Sequence, residues 1–245
     1  MDARHGLSPP GRLLQHRQEG RARRAGPLPR ECASPRRCGD DGVIRIGGWS
    51  RLSSCDWPGH LVTTVFCQGC PWRCGYCHNP ALLPPRSPAV VSWQTVTAHL
   101  GRRRGLLDGI VLSGGEPLLQ AGLADALREA RALGFETGLH TGGAYPRRFD
   151  RLLSEGLLDW VGFDVKAAPA AYDRVTGVAN SAAPAARSLR LLLDAGIPHQ
   201  IRTTVDPALL DGADVVELER WVLRQGVRGH VTTPARAMSP AADGR

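Results

Sequence analysis

Four cysteines, Cys67, Cys70, Cys74 and Cys77, lie within eleven residues near the first third of the chain. Soft thiolates at this density favour zinc, copper(I) or an iron-sulfur cluster over a hard cation. The spacing is tighter, and the chain of 245 residues longer, than in a small secreted domain held by disulfides. We therefore expect a metal-binding loop in a protein of the reducing cytoplasm.

The spacing Cys70-x3-Cys74-x2-Cys77 places three thiolates on one loop. Such a loop can hold three irons of a cubane and leave the fourth iron open to a substrate. The alternative is structural zinc, which needs four ligands and could take Cys67 as the fourth. Zinc sites usually draw ligand pairs from separate knuckles, and Cys67 lies at the end of a predicted strand. The pattern favours an iron-sulfur cluster.

Composition excludes several other classes of protein. Hydrophobic residues make up 42% of the chain but aromatic residues only 5%, so the core must be aliphatic. No apolar run reaches the roughly 18 residues of a membrane span, and the first 26 residues lack the apolar centre of a signal peptide. We expect neither membrane insertion nor export.

The basic charge belongs mainly to the amino-terminal tail. The formal net charge is +8, yet nine arginines and only four carboxylates fall within residues 1–40. We therefore expect no specific nucleic-acid binding, although a nucleic-acid arm or a mis-assigned start remain alternatives for this tail. Its composition predicts disorder over residues 1–42, as it does for residues 235–245, leaving one domain over residues 43–234. Cys32 and Cys38 are either a stray pair or part of a metal site.

Short apolar runs alternate with helical patterns about six times along this domain. Such alternation predicts a parallel sheet with helices outside it, and six units are too few for a closed eight-unit barrel. An open partial barrel or a doubly wound sheet remains. The predicted strands are 61–66, 109–112, 135–139, 160–163, 199–204 and 229–232, and the predicted helices are 92–103 with Ser92 as N-cap, 118–133, 147–157, 182–195 and 213–224.

The unusual polar residues follow the predicted strands. The carboxyl ends of parallel strands meet at one rim, where α/β proteins bind ligands. One rim therefore collects the candidates: Cys70, Cys74 and Cys77 after the first strand, residues 113–117 after the second, residues 140–143 after the third, Asp164 and Lys166 after the fourth, and Thr203 and Thr204 at the fifth.

The cysteine loop and the run Ser113-Gly114-Gly115-Glu116-Pro117 together resemble the radical S-adenosylmethionine (radical SAM) superfamily. The longer run from Asp56 through Pro80 is similar to glycyl-radical-enzyme activating proteins. It most resembles the activating proteins of anaerobic ribonucleoside-triphosphate reductase, with pyruvate formate-lyase activating enzymes close behind. The resemblance covers residues 44–234 and implies an α/β fold, a partial, open (β/α)6 barrel of the radical SAM type.

The resemblance also implies cofactors and site residues. Cys70, Cys74 and Cys77 would ligate a [4Fe-4S] cluster whose open iron chelates S-adenosylmethionine, with no catalytic residue beyond the cluster and cosubstrate site. The cosubstrate residues would be Tyr76 and His78 along the adenine, Gly114, Gly115 and Glu116 at the methionine amino group, and Asp164 and Lys166, which match an Asp-x-Lys element.

The implied activity is the generation of a glycyl radical on a partner enzyme, with anaerobic ribonucleotide reductase as the expected partner. A low-potential donor such as flavodoxin or ferredoxin would reduce the cluster, which would split the cosubstrate and release a 5'-deoxyadenosyl radical. Three alternatives stay open: a pyruvate formate-lyase activating enzyme, another radical SAM enzyme acting on a small molecule, and a zinc-dependent nucleic-acid-binding module.

Each candidate residue also has a structural alternative. Gly114 and Gly115 could form an ordinary turn, Glu116 could be a solvated charge, Asp164 a helix cap and Tyr76 a packing residue. Lys166 is the sole lysine in an arginine-rich chain, which favours a site for a compact ammonium.

Arg202, His140 and the segment before the first predicted strand carry further expectations. Arg202 is either an ion-pair partner or a ligand for the cosubstrate carboxylate. His140 stands where pyruvate formate-lyase activating enzymes have an aspartate, so a carboxylate that could hold a cation is missing there. Asp56, Pro58 and Gly59 are expected to contribute to the mouth of a groove, with an ordinary turn as the alternative.

Overall fold

Six parallel strands form the centre of the fold in this computed structural model, which describes residue 42 and residues 44–235. An additional first strand, β1, pairs antiparallel with β2. The strands follow chain order across the sheet, so that β1 and β7 are its two edges and the sheet is open. The strands are β1 (Ile46–Ser53), β2 (Val62–Cys67), β3 (Gly109–Gly114), β4 (Glu136–Thr141), β5 (Trp160–Asp164), β6 (His199–Val205) and β7 (Val231–Pro234).

The crossovers between the parallel strands are helical. Aliphatic side chains of the strands and of these helices form the main core, which includes Ile110, Leu139 and Leu189. The central strands β2 to β5 are largely buried, whereas β7 at the edge of the sheet is exposed along its length. The helices are α1 (Trp93–Gly101), α2 (Leu123–Ala132), α3 (Pro146–Ser154), α4 (Pro169–Thr176), α5 (Ala182–Ala195) and α6 (Gly212–Arg224).

The predicted α/β fold, a partial, open (β/α)6 barrel, is confirmed: the described residues contain six parallel strands joined by five helical connections. Ser92 caps α1 as predicted, because its side chain accepts a hydrogen bond from the backbone N–H of Thr95. Two elements, β1 and α4, were not predicted. Pro169 at the start of α4 and Gly177 directly after it, in a left-handed conformation, are the usual boundary signals of a helix.

The predicted helix over residues 118–133 was wrong in its first turn. A short 3-10 helix covers Pro117–Leu119, and α2 begins only at Leu123. Gln120 turns the chain between them: its side chain donates to the carbonyl of Gln68 and accepts from the backbone N–H of Arg45. These two long-range hydrogen bonds outweigh the helical periodicity of the segment.

The inner face of the curved sheet holds a second, smaller cluster of buried side chains: Trp57, Val62, Val111 and Trp160. Trp57 comes from the connection between β1 and β2, not from a strand. None of the helices in the described residues has the length and apolarity that a bilayer crossing requires. The predicted tails, with Cys32 and Cys38, lie outside the described residues apart from Gly42 and Ala235.

Candidate active site

A single cleft at the carboxyl ends of the strands contains all ten residues that the sequence nominated as cluster or cosubstrate ligands. Its empty space, part of it open to solvent, amounts to about 850 Å³. The ten residues are Cys70, Cys74, Tyr76, Cys77, His78, Gly114, Gly115, Glu116, Asp164 and Lys166.

The cysteine loop follows β2 directly and forms one wall of the cleft. Its start is held by backbone hydrogen bonds from Gly69 to the carbonyl of Leu82 and from Cys70 to that of Leu83. Its far side is held by Arg73, whose N–H donates to the Thr176 carbonyl at the end of α4. The loop is therefore fixed at both ends by neighbouring segments.

Cys67 takes no part in the cleft. It is the last residue of β2 and is fully buried in the main core. Burial, followed by the charge of Glu116, raises the pKa of its thiol far above the ordinary value. Cys67 therefore packs as a neutral hydrophobic side chain.

The three remaining thiols fit a cubane better than a zinc ion. Within residues 42 and 44–235, no three His, Cys, Asp or Glu side chains converge on a position for a single metal ion. Structural zinc requires that convergence because all four ligands surround one centre, whereas the cysteines of a [4Fe-4S] cluster bind different irons. Burial raises the pKa of Cys70 to about 12 and that of Cys74 above its ordinary value. Only a bound cation would make both of these thiols thiolates at neutral pH.

Gly114 and Gly115 bring β3 close to the cysteine loop. A Cβ built on Gly114, whose φ is +103°, would lie 2.5 Å from the backbone nitrogen of Cys67, and one on Gly115 would lie 2.2 Å from the carbonyl oxygen of Gly69. Two backbone hydrogen bonds close this contact, from Gly115 to the carbonyl of Cys67 and from Glu116 to that of Gly69. The pair is thus more than a turn, because the contact leaves no space for a side chain.

Glu116 is buried, so its expected alternative as a solvated charge is wrong. Its Oε1 accepts from Thr141 Oγ1 at 2.7 Å and from the backbone N–H of Leu118 at 3.0 Å, and its Oε2 accepts from the N–H of Gly142 at 3.1 Å. Burial raises the pKa of this carboxyl, although these hydrogen bonds oppose the shift. Glu116 therefore ties the end of β3 to the end of β4.

Asp164 lies between two cations at the end of β5. Its Oδ1 accepts from Arg202 Nε at 2.5 Å, and its Oδ2 lies 3.6 Å from Lys166 Nζ. Burial opposes the negative charge, but Lys166 and Arg202 outweigh it and hold the pKa of Asp164 at about 2. Asp164 is therefore not a helix cap, and Arg202 is its ion-pair partner.

Lys166 Nζ projects into the cleft beside the cysteine loop, 5.8 Å from the centre of the Tyr76 ring. Burial disfavours the charge of Lys166, but Tyr76, Asp164 and Cys74 outweigh it and keep the pKa of Lys166 above the ordinary value. The hydroxyls of Tyr76 and Tyr172 are buried and have no hydrogen-bond partner among the described residues. The cleft thus offers an ammonium beside the Tyr76 hydroxyl, whereas Tyr172 lies behind its lining and His78 is exposed at its edge.

His140 lines the floor of the cleft and is buried. Its Nε2 lies 2.7 Å from the carbonyl oxygen of Asp56, which can only accept, so Nε2 carries the proton. Its Nδ1, at 3.2 Å, then accepts from the hydroxyl of Ser113. Burial and the charge of Arg202 lower the pKa of His140 to about 4. The imidazole is neutral at physiological pH.

The structure adds Trp72, within the cysteine loop, to the lining of the cleft, and nothing in the sequence singled it out. Thr141 and Gly142, which the sequence analysis placed at the rim, also line the cleft. Conversely, Asp56, Pro58 and Gly59 are not among the lining residues. The expectation that they form the mouth of a groove has no support from this geometry.

Comparisons with known proteins agree with this site. The profile of the radical SAM superfamily matches residues 64–222, well over half of the chain. A Methanocaldococcus jannaschii protein named as a glycyl-radical enzyme activating enzyme is 27% identical over 72% of this chain and 75% of its own length. The pyruvate formate-lyase-activating enzyme of Streptococcus mutans is 33% identical over 72% of this chain and 71% of its own length.

A solved structure shows the same fold. SuiB from Streptococcus suis, bound to S-adenosylmethionine, superposes with a TM-score of 0.52 at 11% identity, over 74% of this chain and 40% of SuiB. Members of the superfamily use a [4Fe-4S] cluster and S-adenosylmethionine, and these are the cofactors of this chain. The chain belongs to the radical SAM superfamily and, within it, to the glycyl-radical-enzyme activating enzymes.

Proposed function

We propose that Cys70, Cys74 and Cys77 ligate the [4Fe-4S] cluster and leave one iron for the cosubstrate. All three line the cleft at its cysteine-loop wall, and Cys67 is excluded from it by burial in the core. Because only three cysteines ligate the cluster, its fourth iron can bind the cosubstrate, and the cluster is a binding site as well as a redox centre.

The cosubstrate residues are proposed to act in three groups. Lys166 supplies a positive charge for the methionine carboxylate, with Asp164 held beside it by Arg202. The backbone of Gly114 and Gly115 receives the methionine amino group, and Glu116 fixes that backbone through Thr141 and Gly142. The remaining group, along the adenine, consists of Tyr76 and His78.

When bound and reduced by one electron, the cluster and S-adenosylmethionine supply a 5'-deoxyadenosyl radical that takes a hydrogen atom from a glycine. The protein holds the reactants in place and keeps out water. Lys166, Tyr76 and Glu116 contribute to this because they are buried or nearly so and close the wall of the cleft.

The proposed partner is a glycyl-radical enzyme, and specifically anaerobic ribonucleoside-triphosphate reductase. The names of the two relatives support the class of partner. The likeness to the Streptococcus mutans enzyme favours pyruvate formate-lyase as a second candidate. A low-potential donor such as flavodoxin or ferredoxin would supply the electron. We place the reaction in the cytoplasm, in line with the free thiols of all five described cysteines.

The observation that carries this function is the gathering of all ten nominated residues in one cleft. The test incubates the reconstituted protein anaerobically with S-adenosylmethionine, dithionite and either anaerobic ribonucleotide reductase or pyruvate formate-lyase. Electron paramagnetic resonance should detect a glycyl radical on the reductase, and the Cys74→Ala variant should give none. A radical on pyruvate formate-lyase alone would move the assignment to the second candidate. The absence of a radical on both would contradict the proposed partner.

A further inference from the structure

Trp72 lies in the cysteine loop and lines the cleft. The residue is only 4% exposed, whereas its chain neighbours are not buried: Pro71 is half-buried and Arg73 is exposed. The loop therefore turns the indole of Trp72 inward, toward the body of the protein.

The indole ring of Trp72 is held by the end of β4 and by α4. A Cβ built on Gly142 would lie 2.1 Å from Cζ3 of the ring. Tyr172 of α4 makes an edge-to-face contact with it, with centroids 5.9 Å apart and planes at 74°, a geometry that stabilises aromatic pairs. Gly142 is itself fixed, because its N–H donates to Oε2 of Glu116. The ring is therefore pre-positioned in the empty cleft.

The indole N–H of Trp72 donates to no acceptor among the described residues. It is also not one of the fully buried side-chain atoms without a partner, which are the hydroxyls of Tyr76 and Tyr172. The N–H thus keeps contact with open space, and the open space that Trp72 lines is the cleft. Trp93 offers a contrast, since its Nε1 donates to Oε2 of Glu129 at 2.6 Å. Indole N–H groups of buried tryptophans usually have such a partner, so the N–H of Trp72 is available to a ligand.

The surroundings of Trp72 indicate which part of the cosubstrate this donor meets. One contact of the ring, Gly142, belongs to the wall that Glu116 fixes, where we place the methionine amino group. Burial raises the pKa of the other contact, Tyr172, and the ammonium of Lys166 opposes this rise, so Lys166 lies within electrostatic reach of Tyr172. Trp72 therefore contacts residues next to both proposed sites of the methionine end. An indole N–H can only donate and a carboxylate can only accept, so the carboxylate is its partner.

The carboxylate needs more than one donor in this cleft. Its two oxygens offer about four acceptor positions, and an acceptor left without a partner after removal from water is costly. Lys166 supplies one ammonium, which it already shares with Asp164 at 3.6 Å. A second, neutral donor would satisfy a further acceptor position without adding charge.

We propose that Trp72 binds the methionine carboxylate of S-adenosylmethionine through its indole N–H, together with Lys166. This inference rests on the proposed function, in which Lys166 supplies the charge for that carboxylate. Gly142 contributes to the arrangement, because a Cβ at this position would displace the ring. Trp72 is therefore a further cosubstrate-binding residue.

The test measures equilibrium binding to the oxidised, reconstituted protein without reductant. Trp72→Phe keeps an aromatic ring and removes the N–H, so the Kd for S-adenosylmethionine should rise about tenfold, as expected for one hydrogen bond to a charged group. Decarboxylated S-adenosylmethionine, which lacks the acceptor, should bind the wild type and Trp72→Phe equally well. The matched control, Trp93→Phe, removes an indole N–H that donates to Glu129 and should change neither Kd.

A second variant separates the hydrogen bond from the packing of the ring. Site-specific replacement of Trp72 by benzothienylalanine keeps the bicyclic ring and has sulfur in place of the N–H. This variant should retain the iron content of the wild type and show the same tenfold rise in Kd. It also decides the matter if Trp72→Phe fails to fold or loses the cluster. An unchanged Kd for S-adenosylmethionine in the benzothienylalanine variant would overturn the inference.

The analogue and Lys166→Met distinguish the remaining outcomes. A rise of equal size for S-adenosylmethionine and its decarboxylated analogue would overturn the role of Trp72, because the N–H would then serve another part of the cosubstrate or the cluster. If Lys166→Met leaves the Kd unchanged while loss of the N–H raises it, the proposed place of Lys166 fails and that of Trp72 stands. The reverse result would remove Trp72 from the site and keep Lys166.

Discussion

Arg202 Nε donates to Oδ1 of Asp164 at 2.5 Å, and the two residues are also register partners on β6 and β5. This relationship makes Arg202 the fixed counter-ion of Asp164 and leaves Lys166 Nζ, at 3.6 Å from Oδ2, as the cation that faces the cleft. Two cations and one carboxylate leave a net positive charge, which suits the carboxylate of the cosubstrate.

Removing the counter-ion should destabilise the protein. Arg202→Gln leaves Asp164 with Lys166 as its remaining cation, and breaking a largely buried pair in this way should cost about 3 kcal/mol in free energy of unfolding. The double change Arg202→Gln with Asp164→Asn should recover part of the loss, because the carboxylate that Arg202 neutralised is then absent as well. Urea unfolding of the two single variants and the double variant forms the test. Strict additivity of the two single effects would show that the pair is not coupled.

Lys166→Met should weaken S-adenosylmethionine binding and leave iron content unchanged. The change keeps the unbranched shape and most of the length of the side chain and removes its charge, so the loss of one charged hydrogen bond should raise the Kd by about tenfold to a hundredfold. Arg174→Gln, which removes an exposed charge on α4, is the control and should bind normally. Equilibrium binding to the oxidised protein measures both. An unchanged Kd for Lys166→Met would remove this residue from the cosubstrate site.

Gly115→Ala should prevent normal cluster assembly. The new Cβ would lie 2.2 Å from the carbonyl oxygen of Gly69, a backbone atom that can move only if the cysteine loop moves. Gly101→Ala, at the end of α1, meets no atom within 4 Å and should stabilise the protein by up to about 1 kcal/mol. Iron content after anaerobic reconstitution measures the first effect and thermal unfolding the second. Full iron content in Gly115→Ala would show that the contact is dispensable.

His140 should make the fold sensitive to acid. Burial and Arg202 lower its pKa from 6.5 to about 4 in the folded state. Below pH 6.5 the unfolded chain therefore takes up a proton that the folded chain does not, and stability falls as pH falls toward 4. Between pH 7 and pH 5 the wild type should lose roughly 2 kcal/mol more than His140→Gln. Urea unfolding of both proteins at the two pH values is the measurement, and equal losses would show that His140 is not the acid-sensitive group.

Much of the fold could be predicted from the spacing of apolar residues and from the residues that begin and end helices and strands. The alternation of apolar runs and helices predicted six units, and the placement of polar residues after strands predicted one rim. The antiparallel strand β1 was missed because Gly47 and Gly48 break any strand pattern, and Gly47 is small because the side chains of Leu82 and Gln68 pack against it. Such contacts across the chain leave no local signal.

The cleft shows the same division between local and long-range information. The cysteine spacing and the Gly-Gly-Glu run identified two walls of the cleft, because the residues that form each of these walls lie close together in the sequence. The role of Arg202 could not be assigned, because it depends on the pairing of β5 with β6. Trp57 is buried against Gly138, which lies far along the chain and leaves space for the indole ring. No local signal reveals this contact, and the neighbouring Asp56, Pro58 and Gly59 were therefore expected at the mouth of the cleft, which they do not line.

The central claim is that three cysteines hold the cluster and leave one iron open. The most direct test compares Cys67→Ala with Cys74→Ala after anaerobic reconstitution, by iron content and by the electron paramagnetic resonance spectrum with and without S-adenosylmethionine. We predict that Cys67→Ala retains about four irons per chain and a spectrum that changes on addition of the cosubstrate, whereas Cys74→Ala retains neither. Loss of the cluster in Cys67→Ala, or tightly bound zinc without iron in the wild type, would contradict the account.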